Sequence, residues 1–152
     1  MSRLTRAGVG VDIPPGWEGD ITGGDRRLLG DGAREPTVLQ LASFPMPPQR
    51  GSFGAGAVER MNPRDIFITL FEYGPESAGT ALFSNQGIPR QVLARDFDRD
   101  ALQVGVAGQS GLQRFFTHRG RAFCLYIVIG SHIDRATLAD EVNAVLATLD
   151  IQ

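Results

Sequence analysis

The sequence predicts an α+β fold: a mainly antiparallel, twisted sheet with helices packed on it, including an amphipathic helix at the C-terminal end. Three observations carry this. Runs that alternate with a period of two recur along the chain between turn residues. Two of them, 113–118 and 121–129, are separated only by Arg119 and Gly120. After Gly130 the apolar period changes from that of a strand to that of a helix. Strands joined by turns, with a clear helix only at the end, point to antiparallel pairing and away from alternating βαβ units.

Taken in order, Val9, Val11 and Ile13 alternate with small or polar residues before Pro14, Pro15 and Gly16, which predicts a strand ending in a turn. Trp17 is expected to fold back over the edge of the core. Residues 21–32 are rich in Gly, Asp and Arg and predict a hairpin or irregular loop around Arg26 to Leu29. A second strand spans 37–44 and is stopped by Pro45, which has no amide proton to continue a ladder.

Residues 45–64 hold Pro45, Pro47, Pro48, Gly51, Gly54, Gly56 and Pro63, so no long regular element forms there, although 55–61 can make a short helix. Structureless loops of more than roughly 12–15 residues are uncommon in domains and tend to carry function. The next run, 65–73, is apolar on both faces. Ile66, Ile68 and Leu70 lie on one and Phe67, Phe71 and Tyr73 on the other, as in a central strand. Between 74 and 111 the signal is weak: a turn at 73–76 and a faint alternation at Leu102, Val104 and Val106.

For the hairpin around Arg119 and Gly120, the two-residue loop sets the register. Phe116 should face Phe123 and Phe115 should face Cys124, which places the pair inside the sheet. Leu138, Val142, Val145, Leu146 and Leu149 then fall on one helical stripe, with Asp134 placed to cap its start.

The chain has 152 residues, 42% of them hydrophobic, enough for one globular domain over 1–152 with a real core. A formal net charge of −2 gives no attraction to a phosphate backbone or an anionic membrane, and neither nucleic acid nor membrane is expected as partner. The polar start and the lack of a long apolar stretch predict a cytoplasmic protein, in keeping with a single cysteine. The fifteen basic residues are all arginine and are dispersed, which reads as compositional bias and not as a binding patch.

Without lysine, P-loop, Schiff-base and pyridoxal phosphate chemistry lack their reagent. The glycines from Gly51 to Gly56 follow prolines and do not link a strand directly to a helix, so they read as a loop and not as a dinucleotide fingerprint. Asp96, Asp98 and Asp100 begin like a calcium loop, but Ala101 and Ala107 stand where its glycine and bidentate glutamate belong. Ser110 has Leu112 where a nucleophile elbow needs glycine. Cys124 with His118 or His132 is the one thiol and base combination available, yet its place between Phe123 and Leu125 reads as core. Two histidines without ligand spacing predict no metal, and no cofactor is expected. Glu72 is the first candidate for a buried acid.

The Ile13 to Trp17 turn after a first strand, the strand-turn-strand around Phe115 to Ile129 and the closing helix from Leu138 to Leu149 together resemble the Mog1/PsbP/DcrB-like group of small domains. That resemblance implies an antiparallel sheet with packed helices used as a binding or assembly module, with no catalytic residues. The expected function is therefore a non-catalytic adaptor or chaperone with a protein partner. Trp17, Met46, Phe53 and Met61 are the candidate interface residues, since such apolar side chains anchor interfaces. The competing structural reading folds Met46, Phe53 and Met61 back onto the core. The functional alternatives are a small-ligand binder or carboxylate-dependent enzyme, with a pocket between sheet and helix or under the Trp17 turn, and a self-associating structural subunit.

Overall fold

A computed structural model describes residues 2–24 and 35–152. Its strands are β1 (Ser2–Arg6), β2 (Val9–Ile13), β3 (Glu18–Thr22), β4 (Val38–Ala42), β5 (Ile66–Glu72), β6 (Ser110–His118), β7 (Arg121–Ile129) and β8 (Asp150–Ile151), with helix α1 (Arg135–Leu146) before the last. The fold is α+β and mostly sheet, with every strand pair antiparallel. Among the described residues α1 is the one α-helix; the other helical pieces are short 3-10 turns.

The β6–β7 hairpin has the register its alternation requires, with Phe116 opposite Phe123 and Phe115 opposite Cys124. Both residues of its turn have positive φ, 52° at Arg119 and 76° at Gly120, the type I′ geometry whose twist matches the strands it joins. A side chain with a Cβ is strained there. Arg119→Asn, which tolerates that conformation, is expected to raise stability by about 0.5–1 kcal/mol in urea denaturation.

Two sheets form where one was expected. A five-stranded sheet runs β3-β4-β5-β7-β6, and a three-stranded one runs β1-β2-β8. β1 escapes sequence detection because Ser-Arg-Leu-Thr-Arg has a single apolar residue, the half-buried Leu4, and so carries no apolar alternation. β5 and β7 are interior, as predicted, but β6 is an edge. Its outer side is closed by bridges from Asp98 to Gly111 and from Gln86 to Thr117, which leave less of the ladder open to a stray strand.

The two faces of the large sheet build two cores. On the inner face Ile66, Ile68, Leu70, Phe116, Phe123 and Leu125 pack with Val9, Val11 and Ile151 of the small sheet and with Leu138, Val142 and Val145 of α1. Trp17 packs at the margin of this core, as predicted. On the outer face Ala42, Phe67, Cys124, Tyr126 and Val128 are covered by loops. Arg90 closes the C-terminal end of α1 by donating to the Leu146 and Leu149 carbonyls at 3.1 and 2.8 Å, where a cation also suits the helix dipole.

At the other end of α1 the expected cap is absent. The Asp134 side chain accepts no capping bond, because its backbone (φ −92°, ψ 18°) is turn-like and not the extended form that aims a cap inward. Its own N–H donates instead to Ser131 Oγ at 3.2 Å. The weak alternation at Leu102, Val104 and Val106 forms no strand, and the helix expected within 55–61 is a single 3-10 turn, Val58–Arg60. The hairpin expected around Arg26 to Leu29 lies outside the described residues.

Candidate functional site: the outer face and its loop

The outer face begins with which residues of each strand point there. At one level across the sheet Val38, Phe71, Cys124 and Phe115 are successive partners; at the next are Gln40, Thr69, Tyr126 and Gln113. Gln40 and Thr69 are buried polar residues in the middle of apolar strands. Such groups must find hydrogen bonds or cost about 1–3 kcal/mol each. Here they find them in the loop 45–64. Gln40 Nε2 donates to the Gly51 and Ser52 carbonyls at 3.0 and 3.1 Å, and Thr69 Oγ1 donates to Ser52 O at 2.8 Å.

Arg50 completes the anchorage. Its guanidinium donates to Gln40 Oε1 at 2.6 Å, to Pro47 O at 2.9 Å and to Asp20 Oδ2 at 2.6 Å, with the side chain only 12% exposed. One planar fork thus ties β3, β4 and the loop together, a geometry that a lysine could not reproduce. The loop is long and irregular, yet it is held in one shape.

Met46, Phe53 and Met61 are half-buried and each packs against the outer core, so the loop's apolar side chains double as its anchors. Trp17 does not join them; it lies with the inner core. Phe53 opens a chain of touching rings that sequence reasoning did not assemble. Phe53 meets Phe71 (centroids 5.4 Å), Phe71 meets Tyr73 (5.1 Å), Tyr73 meets Phe83 (5.2 Å) and Phe83 meets Phe115 (5.6 Å). Phe53 also meets Tyr126 edge-on at 5.9 Å. Phe53, Phe71, Tyr73 and Phe115 each keep part of the ring open to solvent, whereas the inner-face pair Phe116 and Phe123 is fully buried. The alternation of 65–73 was the available signal for two of these rings. Their partial exposure depends on how the loops lie, which alternation does not encode.

The Tyr73 hydroxyl and the Gln113 amide make no hydrogen bond among the described residues. Burial raises the Tyr73 phenol above its ordinary range. Burial raises that of Tyr126 as well, opposed by the Gln103 N–H that donates to its oxygen at 2.7 Å.

The other sequence candidates fall into structural roles. Cys124 is buried in the outer core, and burial pushes its thiol up to about 12. His118 shares the inner-face parity of Phe116, so the sheet itself separates it from the thiol. Native Cys124 is expected to resist disulfide reagents at pH 8 and to react once unfolded. The sign for stability follows from the raised value. This thiol's contribution is complete below about 9, where an exposed thiol ionises, and is lost as pH rises through about 12. Cys124→Ala should remove that share of the alkaline loss in pH-dependent denaturation.

Glu72 forms a two-pronged pair with Arg121 at 2.8 and 2.9 Å, and Arg121 lies over the Phe123 ring at 5.3 Å. That is the partnering of a structural carboxylate. Asp96 accepts from Leu93 N–H at 2.8 Å and pairs with Arg114 at 3.4 Å, while Asp98 accepts from Asp100 N–H at 2.7 Å. Among the described residues no three His, Cys, Asp or Glu side chains stand together as a metal site. Ser110 opens β6, where a nucleophile elbow would turn into a helix. Between the inner face and α1 lies a void of about 10 Å³ walled by aliphatic side chains such as Val11, Leu41, Ile68 and Val145. Ligand pockets measure roughly 300–1,000 Å³, so this void is a packing defect. No helix among the described residues is long and apolar enough to cross a membrane. Comparison of the chain with protein-family models, with curated proteins and with solved structures finds no match.

Proposed function

We propose that this chain is a non-catalytic protein-binding module, an adaptor or chaperone, that recognises its partner with the outer face. The observation that carries the reading is the row of half-exposed rings, Phe53, Phe71 and Tyr73 in contact and Phe115 joined to them through the buried Phe83, beside a loop held rigid from below. Aromatic side chains dominate interface energetics, and a preorganised surface loses less freedom on binding. Arg50, Gln40 and Thr69 supply that preorganisation, and Tyr73 and Gln113 offer polar groups that have no partner among the described residues beside the apolar row.

A cytoplasmic setting belongs to the same reading and is supported by the lone, buried Cys124. So does kinship with the Mog1/PsbP/DcrB-like group, supported by the antiparallel sheet, the Pro14 to Trp17 turn after β2 and the closing helix. The partner is a protein and not nucleic acid, in keeping with the slightly negative net charge.

The test is recovery of partners from native cytosol with wild type and with Tyr73→Gln/Phe115→Gln, which changes the row but leaves the Arg50 anchorage intact. A partner kept by the wild type and lost by a variant of unchanged Tm supports the reading. Equal recovery by both, or none by either, overturns it. The alternative, a small-ligand binder using the same rings, predicts a Tm that rises with the logarithm of ligand concentration in a metabolite screen.

A further inference from the structure

The end of the β6–β7 ladder where α1 begins concentrates unsatisfied polar groups. Among the described residues four buried side-chain polar atoms lack a partner, and three of them are Gln109 Oε1, Ser110 Oγ and His132 Nδ1. Each such atom has given up hydrogen bonds to water without a replacement. This junction is therefore poorly satisfied compared with the other described residues.

A handful of bonds hold it shut. His132 N–H donates to Gly108 O at 2.8 Å, and Gln109 N–H closes the preceding turn onto Val106 O at 3.2 Å. Gln109 Nε2 reaches across to Val58 O at 2.8 Å, which links the junction to the outer-face loop. On the helix side Arg135 Nη1 donates to His132 O at 2.9 Å.

His132 is the group here that can change charge near neutral pH. Its Nδ1 is shielded and has no hydrogen-bond partner among the described residues, so a proton taken up there would be a donor without an acceptor in the closed arrangement. It would also place a positive charge at the N-terminal end of α1, where the helix dipole is already positive. Arg135 on the helix and Arg99 on the 99–101 turn face the ring and oppose that charge, while Asp98 favours it. Asp134 lies at the same helix end and is exposed, and segment 104–109 brings no charge. Of the turn beyond Gln109, the Glu59 carboxylate is already held by Gly56 N–H at 3.0 Å.

We propose that the junction of β6, β7 and α1 is a pH-sensitive clasp. It is closed while His132 is neutral, and it opens locally when the ring takes up a proton, lifting 105–109 away and fraying the first turn of α1. Burial first, then Arg135 and Arg99, lower the affinity of His132 for that proton in the closed state. The contribution of neutral His132 is therefore present above about 6.5, the ordinary histidine value, and is lost as pH falls below it. Because Gln109 holds the Val58 carbonyl, opening also loosens the far end of the loop beside the aromatic row.

Amide hydrogen exchange, expressed as protection factors to remove the intrinsic pH effect, tests this between pH 7.5 and 5. Protection at Gln109, His132 and the first turn of α1 should fall at least about threefold, while the centres of β5 and β7 hold steady. The loss should share its midpoint with the NMR titration of His132. His132→Phe, which fills the site without titrating, should make protection there independent of pH. Unchanged protection at pH 5, loss spread evenly over all amides, or an undiminished pH response in His132→Phe would each overturn the clasp. Should His132→Phe fail to fold, the coincidence of midpoints in the wild type decides alone.

Discussion

Gly130→Ala is expected to destabilise the fold by roughly 2–4 kcal/mol, although it adds only one methyl group. Gly130 follows β7, and a Cβ built there would overlap the Asn62 carbonyl oxygen and crowd Pro63. Those atoms are backbone, so no side chain can swing aside. They are also fixed in place, because Asn62 N–H donates to Asp65 Oδ2 at 2.8 Å and Asp65 N–H donates to Asn62 O at 3.0 Å. Ser43 Oγ holds the other Asp65 oxygen at 3.0 Å, and Gly130 N–H itself donates to Asp65 O at 2.9 Å. Room for a methyl group would require pushing the end of the loop off β7 and losing that last bond. Gly105→Ala is the control. Its Cβ would meet nothing within 4 Å, and its effect should stay within about 0.5 kcal/mol of zero. Equal effects of the two substitutions in urea denaturation would show that the close passage of 62–63 over Gly130 carries no weight.

That same passage marks where sequence reading succeeds and where it stops. The pairing of Phe116 with Phe123 was legible because a strong alternation meets a two-residue turn, and those two constraints leave one register. The faces of β5 were legible for the same reason. β1 and β3 were not, because a strand that buries little need not alternate: Ser2–Arg6 half-buries only Leu4 and Glu18–Thr22 fully buries only Ile21. Nor was the edge position of β6, since strand order depends on contacts distant in sequence. At the candidate site Met46, Phe53 and Met61 stood out as apolar residues in a loop, but their direction did not. They face inward because the loop is pinned from beneath, and the pins are Gln40, Thr69 and Arg50. A signal for the pins was present: Gln40 and Thr69 interrupt apolar strands at positions that pair across β4 and β5. A polar pair inside a sheet needs a polar neighbour lying over it, and the irregular backbone of 49–53 is that neighbour.

Arg50→Met should therefore cost more than its place in a loop suggests, on the order of 2–4 kcal/mol. The substitution keeps the aliphatic bulk and removes three hydrogen bonds. It leaves Gln40 Oε1 buried without a donor and frees the Pro47 carbonyl. The ionic share is the smaller part, because the Asp20 side chain is 45% exposed and water screens the pair. Asp20→Asn should accordingly cost only about 1 kcal/mol, and Arg50→Lys, which keeps the charge but loses the fork, should fall between the two. The loss should be local before it is global. With Arg50 gone, only Gln40 and Thr69 tie Gly51 and Ser52 to the sheet by side-chain hydrogen bonds, so chymotryptic cleavage after Phe53 should quicken while the hydrogen exchange of β7 keeps its native protection. The same variant bears on function, since Phe53 opens the aromatic row and holds its position through this anchorage. If Arg50→Met leaves the loop as resistant to cleavage as the wild type, the loop is rigid for another reason and the row owes nothing to the network beneath it.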